Sequence, residues 1–135
     1  MDKALNYLAI ARKAGLAELG EEPVGAVTRA GKGYLVLVAS DASDHTWRRA
    51  KSFVAGTEQQ CVRLPYSKDE MGMAVGRSSL AIAAVTDAAL ALALVKSLPD
   101  GDAAAEEALS RRTEKLNQRK KEARAHQRNL RKGKK

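Results

Sequence analysis

Apolar positions change period several times along the first hundred residues, and each change marks a new element. Leu5, Leu8 and Ala9, followed by Arg12 and Lys13, keep helical spacing. They predict a first helix that stops at Gly15, a residue suited to a helix C-terminus. Leu16-Ala17-Glu18-Leu19 reads as a short extended link into Gly20. Pro23 is tolerated in the first turn of a helix and disfavours helical dihedrals at the residue before it. A second helix is therefore expected with Glu22 as its N-cap and Pro23 at its first position, passing Val24 and Val27 to stop at Gly31-Lys32-Gly33.

The run from Tyr34 to Ala39 is continuously apolar and of strand composition, so it is expected to be covered on both faces. Ser43 or Asp44 can cap a third helix that turns Trp47, Ala50, Val54 and Phe53 inward and ends at Gly56. Gln60 to Leu64 reads as a second strand. Ser67 and Glu70 have capping-box spacing for a short helix that closes at Gly76. Leu80 to Val85 reads as a third strand, and Asp87 caps a helix over Leu90, Leu94, Val95 and Leu98. Strands alternating with helices in this way predict an α/β chain, a three-layer α/β/α sandwich around a small mixed or parallel sheet.

Pro99-Asp100-Gly101-Asp102 is a turn signal, so a hinge is expected over residues 99–103, between a body at 1–98 and an appendage at 104–135. The appendage is helix-prone, Ala-rich at first and then rich in Lys, Arg, Glu and Gln. Leu109, Leu116, Ala123 and Leu130 recur every seven residues, but the matching positions Thr113, Lys120 and Gln127 are polar. That pattern does not favour a self-associating coiled coil, and a monomer is expected. Two readings remain: a charged helix that firms up on a polyanion, or a solvated tail.

Charge separates the two parts sharply. The chain carries a net charge of +8, and all of it lies in residues 104–135, where twelve Lys/Arg meet four Glu. A neutral body with a basic arm points to a polyanionic partner, foremost nucleic acid. The few aromatics, Tyr7, Tyr34, Trp47, Phe53 and Tyr66, argue against a sheet that stacks bases. Cys61 is the one cysteine, so no intrachain disulfide forms, in keeping with a reducing compartment. The start lacks the features of a signal peptide, and the most apolar stretch, Leu80 to Val95, is broken by Thr86 and Asp87. A cytoplasmic protein with no membrane partner is expected.

A more specific pattern runs through the body. Arg12-Lys13-Ala14-Gly15 is followed by Gly20-Glu21-Glu22-Pro23-Val24, Ala30-Gly31-Lys32 and Leu35-Val36-Leu37-Val38-Ala39-Ser40-Asp41-Ala42-Ser43. Then come Ser67-Lys68-Asp69-Glu70-Met71-Gly72, Ala74-Val75-Gly76 and a strand into Val85-Thr86-Asp87. In order and spacing this resembles the ribosomal protein L-seven-Ae/L-thirty-e family, and within it the bacterial YlxQ-like branch, over about residues 3–98. The resemblance implies an α/β/α sandwich that binds RNA, typically kink-turns, in ribosomes and other ribonucleoproteins. It places the binding surface at Gly20, Glu21, Glu22, Pro23 and Val24, at the edge around Asp41, and at the loop Gly76, Arg77, Ser78, Ser79 and Leu80.

The chemistry of those segments suits RNA. A helix N-terminus offers unpaired N–H groups to a phosphate or a base edge. Lys32 and Arg77 can position phosphates, and residues 78–80 can pack on splayed nucleotides. Glu21 and Glu22 have two readings, as acids that favour a helix start or as acceptors for guanine N–H groups. The motif departs from the kink-turn pattern Gly-x-Asn-Glu-x-x-Lys: Asn is replaced by Glu22, Glu by Pro23, Lys by Ala26, and a later Arg by Ala30. Arg29 is the neighbouring cation, offset by about 100° on the helix. From the arm, Arg111, Arg112, Lys115, Arg119, Lys120, Lys121, Arg124 and Arg128 are the expected phosphate contacts.

No catalytic constellation is legible. His45 has no Ser, Cys or carboxylate partner placed by sequence, and His126 lies in the basic arm. Two His and one Cys do not make an ordinary structural zinc site, so no metal or cofactor is expected. The sequence thus predicts a non-enzymatic RNA-binding protein with an altered reader motif. Its expected partners are structured RNA, kink-turn or ribosomal, and the ribosome or transcription machinery. The alternative is a protein-interaction module in ribosome or transcription assembly that meets RNA only through its tail.

Overall fold

The apolar run at residues 35–38 divides between two cores. Leu35 and Leu37 point into a large cluster that includes Leu8, Met71, Leu94 and Leu109. Val36 and Val38 point the other way, into a smaller cluster with Val24, Ala50, Ile82 and Ala84. This alternation is the two-residue period of a strand covered on both faces, and it gives the sandwich its middle layer.

The computed structural model describes the backbone of residues 2–132 and the side chains through Arg128. Among the described residues the elements run α1 (Lys3–Lys13), β1 (Ala17–Leu19), α2 (Glu21–Arg29), β2 (Leu35–Val38), α3 (Asp44–Val54), β3 (Gln60–Arg63), α4 (Lys68–Ala74), β4 (Ile82–Val85), α5 (Ala88–Lys96) and α6 (Ala103–Lys132). The sheet order is β1-β4-β2-β3. β2 and β3 are parallel, whereas β4 is antiparallel to both β1 and β2. Helices α2 and α3 cover one face over the smaller core. On the other face α1, α4, α5 and the start of α6 enclose the larger one.

Beyond shifts of one or two residues at other element ends, three differences from the sequence reading bear on the site. The expected link at residues 16–19 contains a fourth strand, β1, whose Ala17 and Leu19 pair with Val85 and Ala83. Three residues on an edge carry too little periodicity to announce a strand, and pairing with β4 makes it one. Helix α2 starts at Glu21, with Gly20 rather than Glu22 as N-cap. Pro23 sits at the third helical position without penalty, because N–H groups of the first turn have no intrahelical acceptor. The third expected strand begins at Ile82 rather than Leu80.

The helix expected to form an appendage is rooted in the body. Asp102 caps it, its Oδ1 accepting from the Ala105 N–H at 3.1 Å. Ala105 and Leu109 are 3% and 0% exposed and belong to the larger core. Leu130, the last member of the seven-residue series, lies outside the described side chains.

Candidate nucleic-acid interface

The sheet brings three sequence-distant segments to one of its ends. Gly20 follows β1, and its N–H donates to the Ile82 carbonyl at 3.0 Å. Ala39 follows β2 and donates to Ala81 at 2.9 Å, so Asp41 lies two residues beyond the same end. Arg77, Ser78, Ser79 and Leu80 enter β4 from that side. Antiparallel pairing of β4 with both neighbours forces the ends of β1 and β2 beside the start of β4.

The α2 N-terminus at this end is uncapped. Helices α3, α4, α5 and α6 each have an N-cap side chain accepting from the first turn, from Ser43, Ser67, Asp87 and Asp102. Gly20 has no side chain to offer, and its φ of 97° is a conformation that an L-residue adopts only with strain. Pro23 has no N–H, so the Glu21 and Glu22 N–H groups are the donors that the helix start presents outward. Glu22 and Pro23 are exposed, while Val24 is buried and anchors the helix to the smaller core. The Glu21 carboxylate is held by Arg49 of α3, whose Nε donates to Oε1 at 2.7 Å. Arg49 also lies over the Phe53 ring, 5.2 Å from its centroid.

Helix α4 shapes the neighbouring loop. The Arg77 N–H donates to the Gly72 carbonyl at 2.8 Å and the Gly76 N–H to Met73, closing the helix in a Schellman arrangement. A Cβ on Gly72 would stand 2.7 Å from the Arg77 carbonyl oxygen and 2.8 Å from the Ser79 nitrogen, so the loop backbone lies directly on this glycine. Asp41 ties the segments together, its Oδ1 accepting from the Lys68 N–H at 2.8 Å. Arg77, Ser78 and Ser79 are exposed. Leu80 is 3% exposed, within the larger core, so it supports the loop from beneath.

Other candidate residues gather at the opposite end. Arg29 and Lys32 are exposed where α2 turns towards β2, a full strand length from Arg77. Gln59, 4% exposed, braces this corner: its Oε1 accepts from the Gly33 N–H and its Nε2 donates to the Thr28 carbonyl, both at 3.0 Å. Arg112 docks α6 against the same corner. Its Nη1 donates to the Gly33 carbonyl at 3.0 Å, and its guanidinium lies 3.9 Å from the centroid of the Tyr34 ring. Glu58 stands 3.9 Å from Arg112 and 3.7 Å from Lys115. Arg112 is therefore engaged within the protein, whereas Arg111, Lys115, Arg119, Lys120, Lys121, Arg124 and Arg128 are exposed.

No family model matches the chain. A curated relative, the RNA-binding protein YlxQ of Enterococcus faecium, is 35% identical over 75 residues, which is 56% of this chain and 72% of that protein. The chain belongs to the YlxQ family. A solved structure from Bacillus halodurans, described as a protein with unknown function, is 25% identical, with a TM-score of 0.67 over 71% of this chain and 96% of that one. The Giardia lamblia 15.5kD RNA binding protein shares the fold at 20% identity, with a TM-score of 0.60 over 78% of this chain and 85% of that one. The architecture is thus the L-seven-Ae/L-thirty-e-like α/β/α sandwich.

Within this YlxQ-family chain, two residues of the candidate interface escaped sequence reasoning. Arg49 carries no local signal, since its partner Glu21 is 28 residues away. Gly72 was legible as a motif position, but its contact with the loop backbone was not. Trp47 is half-buried against the smaller core with Arg63 and Lys51 over its ring, at 4.9 and 5.4 Å. Among the described residues no helix is long and apolar enough to cross a membrane, and no group of His, Cys, Asp and Glu is placed to hold a metal ion.

Proposed function

We propose that this YlxQ-family protein binds structured RNA without catalysis. In this reading, the end of the sheet bearing Gly20, Glu21, Glu22, Pro23, Asp41, Arg77, Ser78 and Ser79 takes a distorted or unpaired segment, of the kind found in kink-turns and ribosomal RNA. The carrying observation is the convergence of three separate segments around an uncapped helix N-terminus. Two backbone donors there suit a phosphate or a base edge, and Arg77 adds a nearby cation. Arg49 offsets the Glu21 charge that would otherwise repel a phosphate. The curated relative's description as an RNA-binding protein supports the same reading.

The altered motif predicts a preference for bent or unpaired RNA weaker than a complete kink-turn reader would show. The test is a titration of the full chain against a kink-turn RNA and a plain duplex of equal length at two salt concentrations. Tighter binding of the kink-turn RNA at both salts is the expected result. Equal affinities that fall together with salt would instead favour an interaction module that meets RNA only through its basic helix.

A further inference from the structure

Helix α6 leaves the body in a fixed direction. It starts beside the ends of β3 and α5, where Arg63, Leu64 and Pro65 share a cleft with Leu98, Pro99 and Gly101. It then runs back along the sheet, pinned by Ala105 and Leu109 in the core and by Arg112 on Gly33 and Tyr34. Leu116 and Lys120 still line a cleft with Tyr34 and Asp87. Beyond Lys120 the helix continues to Lys132, and the side chains from Lys121 to Arg128 are all exposed.

Gly33 and Tyr34 precede β2, and the candidate reader follows its other end. The run from Tyr34 to Ala39 covers about 17 Å at the usual strand rise, and helix residues from Arg112 to Arg128 add about 24 Å. The free part of α6 therefore projects away from the reader, with Arg128 roughly 35–40 Å from Ser78. An RNA element whose stems are shorter than that span, about eleven base pairs at 3.4 Å per pair, does not reach it from the reader.

The free part also has one charged side. At 3.6 residues per turn, Lys121, Arg124 and Arg128 of this part, together with Lys120 at its root, fall within an arc of about 100°, Glu122 faces away from it, and Arg119, one residue earlier, lies about 100° outside it. Gln118 donates to Glu122 at 3.3 Å, on that other side. Residues 104–135 contain no Phe, Trp or Tyr. Proteins that hold single strands combine cations with aromatic platforms for the bases, and α6 has only the cations. Its chemistry fits the phosphates of a duplex, which are recognised by charge and shape.

We infer that α6 is a second, separate binding surface, on which Lys120, Lys121, Arg124 and Arg128 take the backbone of a double-stranded RNA segment while the reader end holds another. The protein then bridges two RNA segments across its own length. The bridge rests on the proposed reader; the duplex surface stands independently of it.

The experiment uses the full chain with a kink-turn RNA and a plain duplex carrying different fluorophores. The expected result is a complex containing both colours, with neither RNA displacing the other. The quadruple variant Lys120→Gln, Lys121→Gln, Arg124→Gln and Arg128→Gln changes exposed positions and keeps good helix formers. It should lose at least tenfold in duplex affinity, flatten the log K against log salt slope by about 3, and keep kink-turn affinity within about threefold. Mutual displacement of the two RNAs, or equal weakening of both by the variant, would overturn the bridge. Failure of the wild-type chain to bind the kink-turn RNA would overturn the reader, and unchanged duplex binding by the variant would overturn the α6 surface.

Discussion

Arg49 and Glu21 meet across 28 residues at 2.7 Å, joining α3 to the first turn of α2. Both side chains are partly exposed, at 48% and 38%, so the pair contributes little stability, within about 0.5 kcal/mol. Its consequence is electrostatic, because it supplies a cation to an acid at the mouth of the candidate reader. Arg49→Ala should weaken kink-turn RNA binding several-fold at low salt with little change in thermal stability. Adding Glu21→Ala should restore most of the loss. Fluorescence titration of the two single variants and the double variant measures the coupling: additive effects would show that Arg49 does not act through Glu21, and unchanged binding by Arg49→Ala would remove it from the interface.

Gly72 sets the position of the loop through residues 76–80. Gly72→Ala places a methyl against loop backbone at 2.7–2.9 Å, and backbone cannot rotate away as a flexible side chain would. The expected outcome is a displaced loop, a stability loss of about 1–3 kcal/mol and weaker RNA binding. Amide shifts of Arg77, Ser78 and Ser79 in an NMR spectrum would report the movement, and unchanged shifts would contradict it.

Leu109 and Arg112 make α6 part of the domain. Leu109→Ala opens a cavity in the larger core and should cost about 3 kcal/mol. Arg112→Ala removes the hydrogen bond to Gly33 and the stack on Tyr34, for about 2 kcal/mol. Urea denaturation followed by circular dichroism tests both. A chain cut after residue 98 should be less stable still, and equal stability would show that α6 adds nothing to the fold.

Burial pushes the Cys61 thiol up from 9.0 to about 12, although Lys51 and Arg63 pull it down. The folded thiol stays protonated where an unfolded one ionises. Its contribution to stability is therefore complete below pH 9 and lost as pH rises towards 12. At pH 8 the folded thiol therefore carries less thiolate than the unfolded one. Iodoacetamide should modify the native protein far more slowly than the urea-denatured one, and equal rates would show that the thiol is not shielded.

Much of this protein was legible in its sequence because the signals are local. Ser43, Ser67 and Asp87 cap their helices as expected, since a cap needs only a side chain and an N–H a few residues ahead. The apolar stretch at residues 35–38 fixed a doubly covered strand, and alternating elements fixed the sandwich. The charge separation was plain from composition alone.

Tertiary structure decided what depends on distance. β1 became a strand only by pairing with β4, and Arg49 found Glu21 only because α3 packs beside α2. The first turns of α6 look like the start of a tail in sequence, because two buried residues among charged neighbours make a weak apolar face. Packing against the other helices places Ala105 and Leu109 in the core, and Arg112 then sets the direction of all that follows. The charges were written in the sequence, but the end of the sheet from which they project was set by the fold, since strand order and helix docking rest on contacts between residues far apart in the chain.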